Sequence, residues 1–284
     1  MTFWQKVNLA IFSLLFAFAV VFSYLINAQI IDRPLKPWHM QPAVDADTLS
    51  AEYMSSYKLL DKKSVLRRFA DSTRTTVAVL VDGWGVPFDT SLLHGDFAVF
   101  QDLPHKDYLH SRLANRTRHA ELSELRVFWD STTQRNGIYL FGGDSLEYGR
   151  NLYVDSLGYE RHVFCQHCGD SVVFALLDSL LSDSLVLGSD SLAQGVDSLA
   201  QGDSLTRTRD SLNQGRVGVL SVTTWDSRDG DRQKLRATLS QVAALARKHP
   251  GVRFVLVGSH RPNLGDPKIR RESFAHWVPV TVLN

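Results

Sequence analysis

The sequence predicts an α/β domain, a three-layer α/β/α sandwich built on a mostly parallel sheet. Two observations carry this. Several short apolar runs show no in-and-out alternation, and helical patterns lie between them. Unbroken β-branched runs mark strands buried on both faces, as parallel sheets require, and their alternation with helices marks βαβ units. A third observation stands apart: a long uncharged run opens the chain.

The strands come first. Residues 75–81 read TTVAVLV and end in Asp82-Gly83-Trp84-Gly85. Residues 217–223 read VGVLSVT, residues 252–257 read VRFVLV before Gly258-Ser259-His260, and residues 278–283 read VPVTVL. Residues 138–141 are a shorter candidate. Residues 231–248 carry Leu235, Leu239, Val242, Ala243 and Ala246 at helical spacing, close with Arg247-Lys248 and stop at Pro250-Gly251, all helix signals. Residues 119–128 and 171–181 are two further helices. Residues 51–70, with Tyr53, Tyr57, Leu60, Leu66 and Phe69, read as another.

Residues 9–26 (LAIFSLLFAFAVVFSYLI) contain no charge. At 1.5 Å per residue such a helix is about 27 Å long, close to a bilayer core. Three readings stand: an uncleaved signal anchor, a signal peptide cut after Ala28, or a buried core helix. The run is long for a signal peptide, and Ile26 occupies the position three back from the cut where a small residue is usual. Lys6 on one side balances Arg33 and Lys36 on the other, so the positive-inside rule gives no orientation. With no second span, the main domain is expected on the periplasmic or extracellular side of a cell inner membrane, tethered by one pass and lying against its lipid. The expected division is 1–31 anchor or signal peptide, 32–74 juxtamembrane linker and helix, and 75–284 α/β domain.

Composition narrows the function. The 284 residues carry a formal charge of +1, and nucleic-acid binders usually show a clear basic excess, so no nucleic-acid partner is expected. Two cysteines cannot build a disulfide scaffold. The tripeptide Asp-Ser-Leu recurs at Asp178, Asp183, Asp190, Asp197, Asp203 and Asp210. Gly188, Gly195, Gly202 and Gly215 break its near-heptad period at about 1 kcal/mol each. Residues 182–216 therefore read as a low-complexity surface insertion. Its acidic residues stand too far apart for one calcium cage.

Three pieces carry candidate chemistry. Asp82 closes a buried strand and precedes a glycine turn, the place where open α/β sheets put their sites. His260 ends a second strand in the same way; a carboxylate and an imidazole at one sheet edge can hold a divalent metal. Residues 115–122 (NRTRHAEL) place Thr117 near a helix start, where anions are favoured, between Arg116 and Arg118. Each piece alone has a bland reading: a turn aspartate, a hydrogen-bonded histidine, a plain Thr N-cap.

In this order the pieces resemble the alkaline phosphatase superfamily, within it the sulfatase, lipoteichoic-acid-synthase and phosphoethanolamine-transferase branch. Its opening strand and metal-binding Asp are similar to residues 77–82. Its nucleophile segment is similar to residues 115–125. Phe141-Gly142-Gly143-Asp144, the YVDSLGYERHVF of residues 153–164, Asp170 in GDSVVFALLDSLL, the stretch from Val217 to His260 and the ESFAHWVP of residues 272–279 follow in the family's order. The resemblance covers about residues 75–284. It implies a metal-dependent phosphoryl or sulfuryl ester hydrolase or transferase. Thr117 would be the nucleophile, Arg116 or Arg118 would offset charge, and Asp82, Thr117, Ser259 and His260 would hold one divalent metal, Zn or Mn. The expected substrate is a phosphate or sulfate ester. Thr90 is the alternative nucleophile.

The sequence also departs from the pattern. The family's Asp-His pair reads Ser259-His260, which removes one carboxylate and weakens a divalent site. Residues 223–227 (TTWDS) replace the family's His-Gly-Pro segment, and the stretch from Asp82 to Thr117 is short. A catalytically silent member acting as a binding or assembly module is the alternative reading. Cys165 and Cys168 form a single CxxC, read as a disulfide, as free thiols or as a metal or redox pair. His94, His105 and His110 make a loose trio, read as surface residues or metal contacts. Asn115-Arg116-Thr117 matches the glycosylation triplet, which needs a eukaryotic secretory context.

Overall fold

A computed structural model of the chain describes residues 4, 7–8, 11–18, 48–70, 73–112, 116–127, 137–143, 147–166, 168–185, 218–227, 229–262 and 272–284. It divides into two units, Met1–Ala46 and Asp47–Asn284. In the first, residues 11–18 are helical, and Ile11, Phe12, Leu14, Leu15, Phe16 and Phe18 are all exposed. Most of the expected span at 9–26 lies outside the described residues. Among those described, no helix is long and apolar enough to cross a membrane.

The second unit is an eight-stranded sheet. In chain order its elements are α1 (Ala51–Ser56), β1 (Lys58–Leu60), α2 (Val65–Phe69), β2 (Thr76–Val81), α3 (Thr90–Phe97), β3 (His105–Ser111), α4 (Thr117–Glu124), β4 (Gly137–Phe141), β5 (Arg161–Phe164), α5 (Asp170–Leu185), β6 (Val219–Thr223), α6 (Arg232–Lys248), β7 (Arg253–Gly258) and β8 (Trp277–Leu283). Strand order is β1-β3-β8-β7-β2-β6-β4-β5. β8 runs antiparallel to both neighbours, and every other pairing is parallel.

β2 is central and buried along its whole length. Its alternate residues feed two cores. Val77, Val79 and Val81 face one layer with Leu93 and Phe97 of α3, Val173 and Leu177 of α5, and Leu235, Leu239 and Val242 of α6. Ala78 and Leu80 face the other, with Val65 and Leu66 of α2 and Ala120 of α4. Both faces being covered explains why β2 shows no alternation.

α6 matches its sequence signals. The Asp231 side chain caps it by accepting from the backbone N–H groups of Gln233 and Lys234, and its buried residues recur at helical spacing. The reading of 51–70 as one helix is corrected. Ser50 caps α1, the chain then extends through β1, and Ser64 caps a second short helix, α2. Lys58–Leu60 pairs with Tyr108–His110 at the sheet edge, so the α/β unit begins well before residue 75. The Asp-Ser-Leu run begins on α5. Residues 186–217, most of the expected insertion, lie outside the described residues.

The C-terminal ends of β2 and β7 are brought unusually close. A Cβ on Gly258 would lie 1.9 Å from the carbonyl oxygen of Trp84, and one on Gly85 2.6 Å from the Arg261 Cα. Gly83 turns with φ +73°, a region that side chains disfavour. Glycine at these positions lets Asp82 meet Ser259 and His260.

Candidate functional site

Three elements supply the centre. Asp82 follows β2, Ser259 and His260 follow β7 in the adjacent parallel strand, and Thr117 opens α4. All four side chains are buried, Thr117 being the most exposed at 6%. Thr117 is the first helical residue, and Arg116 is the N-cap and makes no side-chain cap hydrogen bond. The Thr117 hydroxyl is thus aimed not at its own helix but at Asp82, Oγ1 lying 3.1 and 3.2 Å from the two carboxylate oxygens. His260 Nε2 is 3.3 Å from Thr117 Oγ1 and 3.2 Å from Asp82 Oδ1.

The surroundings fix each group. Ser259 Oγ donates to Asp82 Oδ1 at 2.6 Å and accepts from the Gly83 N–H at 3.1 Å. The Asp82 N–H donates to Thr224 Oγ1 at 3.0 Å, and Ser227 Oγ donates to the Asp82 carbonyl at 2.7 Å. His260 Nδ1 lies 2.7 Å from the Arg261 carbonyl. A carbonyl can only accept, so Nδ1 carries a proton and Nε2 is the nitrogen turned to Asp82 and Thr117.

Two spacings coexist here. The Ser259–Asp82 contact has ordinary hydrogen-bond length. In the Thr117–Asp82–His260 triangle the oxygen–oxygen edge is 3.1 Å, longer than the ~2.7–2.8 Å usual between two oxygens, and the two edges to His260 Nε2 are 3.2 and 3.3 Å.

Other expected residues lie elsewhere. Arg116 and Arg118 are exposed, and the Arg118 guanidinium lies 5.0 Å above the Tyr153 ring. Thr90 opens α3 at the surface and donates to Glu52 at 2.7 Å. The histidines stay apart: His94 is on α3 against Tyr57, His105 meets the Leu103 carbonyl, and His110 is 3.2 Å from Glu124. Five residues along a strand, from His105 to His110, span about 17 Å. Cys165 and Cys168 are joined as a disulfide. Asn115, Asp144 and His167 lie outside the described residues. Among the described residues, no group of three or more His, Cys, Asp or Glu is placed to hold a metal ion.

Sequence reading missed two buried carboxylates on α4. Glu121 accepts from Arg150 Nη2 at 2.8 Å, from the Tyr139 hydroxyl at 2.8 Å and from the Tyr153 hydroxyl. Glu124 accepts from the Val65 N–H at 2.7 Å and meets His110 at 3.2 Å; Arg112 lies 3.8 Å away. Burial pushes the Glu124 carboxyl up, but His110 and Arg112 together bring it below its ordinary range. Arg112 also donates to the Gly258 carbonyl at 2.9 Å, tying β3 to the turn that carries Ser259. The one local signal was Glu121 at four residues after Thr117, on the same helical face.

No family model matches the chain, and no curated protein matches it. Solved structures similar to it include the lipoteichoic acid synthase LtaP of Listeria monocytogenes (TM-score 0.46, 7% identity, 76% of this chain and 66% of that one). A protein in the alkaline phosphatase superfamily from Vibrio parahaemolyticus is similar at TM-score 0.46 and 9% identity, over 74% of this chain and 60% of that one. The Streptococcus pyogenes phosphoglycerol transferase GacH, in complex with sn-glycerol-1-phosphate, is similar at 0.41 and 12%, over 78% and 69%. The chain thus spans just under two thirds of the length of the first two.

Proposed function

We propose that the chain is an alkaline-phosphatase-like, metal-dependent phosphoryl or sulfuryl ester hydrolase or transferase with Thr117 as nucleophile. The observation that carries this is the Thr117–Asp82–His260 triangle. Donors about 2.0 Å from a tetrahedral Zn2+ stand about 3.3 Å apart, and the three edges measure 3.1–3.3 Å. The donor set would suit one divalent cation: a carboxylate oxygen of Asp82, Nε2 of His260 and the hydroxyl oxygen of Thr117. Ser259, at 2.6 Å from Asp82 Oδ1, serves as the residue that orients the carboxylate, and the Arg261 carbonyl fixes the His260 tautomer. Ligating histidines commonly donate their other N–H in this way. With a single carboxylate, the set favours zinc over harder ions that depend on charge.

The bound cation would supply Lewis acidity that acidifies the Thr117 hydroxyl. The chain's own residues do the rest. Asp82 receives the hydrogen bond of the Thr117 hydroxyl, and the start of α4 favours negative charge on Oγ1. Thr117 Oγ1 gives up its proton and forms a bond to phosphorus or sulfur as the bond to the leaving oxygen breaks, and the leaving oxygen takes up that proton. Water or an acceptor alcohol then cleaves the Thr117 ester, its oxygen bonding to phosphorus or sulfur and its proton returning to Thr117 Oγ1. Arg116 and Arg118, beside Thr117, are the cations available to an anionic substrate at the surface.

The exposed apolar side chains of residues 11–18 support an N-terminal membrane anchor, with Asp47–Asn284 on the periplasmic or extracellular side. Zinc titration of the full chain in detergent, with Asp82→Ala and His260→Ala beside it, tests the centre. Binding of one zinc that both substitutions abolish supports it, and a phosphate- and sulfate-ester screen follows. No binding by the unaltered chain contradicts it and favours the silent binding module.

A further inference from the structure

We infer that Glu121 is a positioning residue that sets Thr117 in the centre through a buried clamp. The inference rests on the reading of Thr117 as the working hydroxyl, and it concerns how that hydroxyl is held. Glu121 and Arg150 are both fully buried. Glu121 Oε1 accepts from Arg150 Nη2 at 2.8 Å, Arg150 Nε at 3.2 Å and the Tyr139 hydroxyl at 2.8 Å. Glu121 Oε2 accepts from the Tyr153 hydroxyl. Burial first, then the Glu121 charge, pushes both phenols well above their ordinary range, so both remain donors.

The clamp reaches the centre from two directions. Glu121 lies one turn after Thr117 on the same face of α4. On the other side, Thr223 Oγ1 is 3.3 Å from the Tyr139 hydroxyl, and the next residue, Thr224, accepts from the Asp82 N–H. Nucleophile and metal-binding carboxylate are therefore registered against the same Tyr139–Glu121 pair, drawn from β4, β6 and α4.

Stability alone does not account for this arrangement. Exchanging a buried ion pair for well-packed apolar side chains is often neutral or stabilising. The Arg150 guanidinium already lies 3.4 Å above the Phe141 ring centroid, in a site that would accept an apolar side chain. A carboxylate with four donors, however, admits one rotation and one height of α4, whereas an apolar plug admits several. An error of about 1 Å at a reacting group costs on the order of 100-fold in rate.

The test compares the full chain with Glu121→Met/Arg150→Leu, Glu121→Gln and Tyr153→Phe. It reads thermal midpoint, hydrogen exchange of the α4 amides and zinc affinity. The double variant is expected to melt within about 5 °C of the parent. The α4 amides from Ala120 onward should exchange about tenfold faster, and its zinc affinity should fall about 10–100-fold. Glu121→Gln keeps an acceptor for Arg150 and Tyr139 but leaves the buried Arg150 charge unpaired, so it should recover part of both while melting below the double variant. Tyr153→Phe removes one donor with little change of volume and should show the same changes in smaller measure. A folded variant with unchanged α4 exchange overturns the inference. Absence of zinc from the parent overturns the reading of the centre instead, and the exchange data still decide whether Glu121 positions Thr117.

Discussion

Asp82 and Asp170 are the same residue type, both buried, one just past the end of a sheet strand and the other at the start of α5. Their partners differ. Asp170 is used up by the fold: its oxygens accept from the N–H groups of Trp225 at 2.7 Å and Asp226 at 3.2 Å and from Thr238 Oγ1 at 3.1 Å. Asp226 returns the contact by accepting the Asp170 N–H at 3.0 Å. The Asp82 carboxylate instead meets the side chains of Ser259, Thr117 and His260. A carboxylate saturated by backbone donors holds elements together. One that faces a hydroxyl and an imidazole meets groups that can take part in chemistry.

The contrast can be broken by substitution. Asp82→Ala should abolish zinc binding and, because the buried Ser259 and Thr117 hydroxyls lose their acceptor, cost about 1–3 kcal/mol, as urea unfolding would show. Asp170→Ala should leave zinc affinity unchanged and cost about 2–3 kcal/mol, because two buried N–H groups lose their acceptor. Equal zinc loss in the two variants would erase the distinction.

Asp170 also has a pH signature. Burial is the main cause that pushes Asp170 up to about 6. A carboxyl raised in the folded state binds its proton more tightly there than unfolded. Its contribution to stability is full below about pH 4 and is lost as pH rises through about 6. Unfolding free energy should therefore fall by about 1–3 kcal/mol between pH 4 and 7.5 on this account, and Asp170→Asn should flatten that slope. An identical slope in both proteins would refute the assignment. The smallest effect concerns Cys165 and Cys168. Reduction opens a short loop worth about 2 kcal/mol at most, so the melting midpoint should drop slightly and zinc content should not change.

The same contrast explains what was legible in the sequence. β2, β6, β7 and β8 stood out because burial on both faces leaves apolar, β-branched runs with no in-and-out alternation. β3, reading HKDYLHS, did not: it is half-buried, and its polar side chains find partners such as Thr281 for Asp107 and Glu124 for His110. Residues 51–70 misled because two short helices and a strand happen to place Tyr53, Leu60, Val65 and Leu66 inward at nearly helical intervals. Asp82, Thr117 and His260 were readable because each sits where an element begins or ends. The Glu121–Arg150 clamp was not, because its partners lie 18 to 32 residues away and only folding brings them together.

The most direct test of the centre is elemental analysis of the full chain, equilibrated with zinc, passed through a desalting column and compared with Asp82→Asn. About one zinc per chain in the parent and none in the variant is the predicted result. A parent that emerges without zinc, or a variant that retains it, would contradict the account.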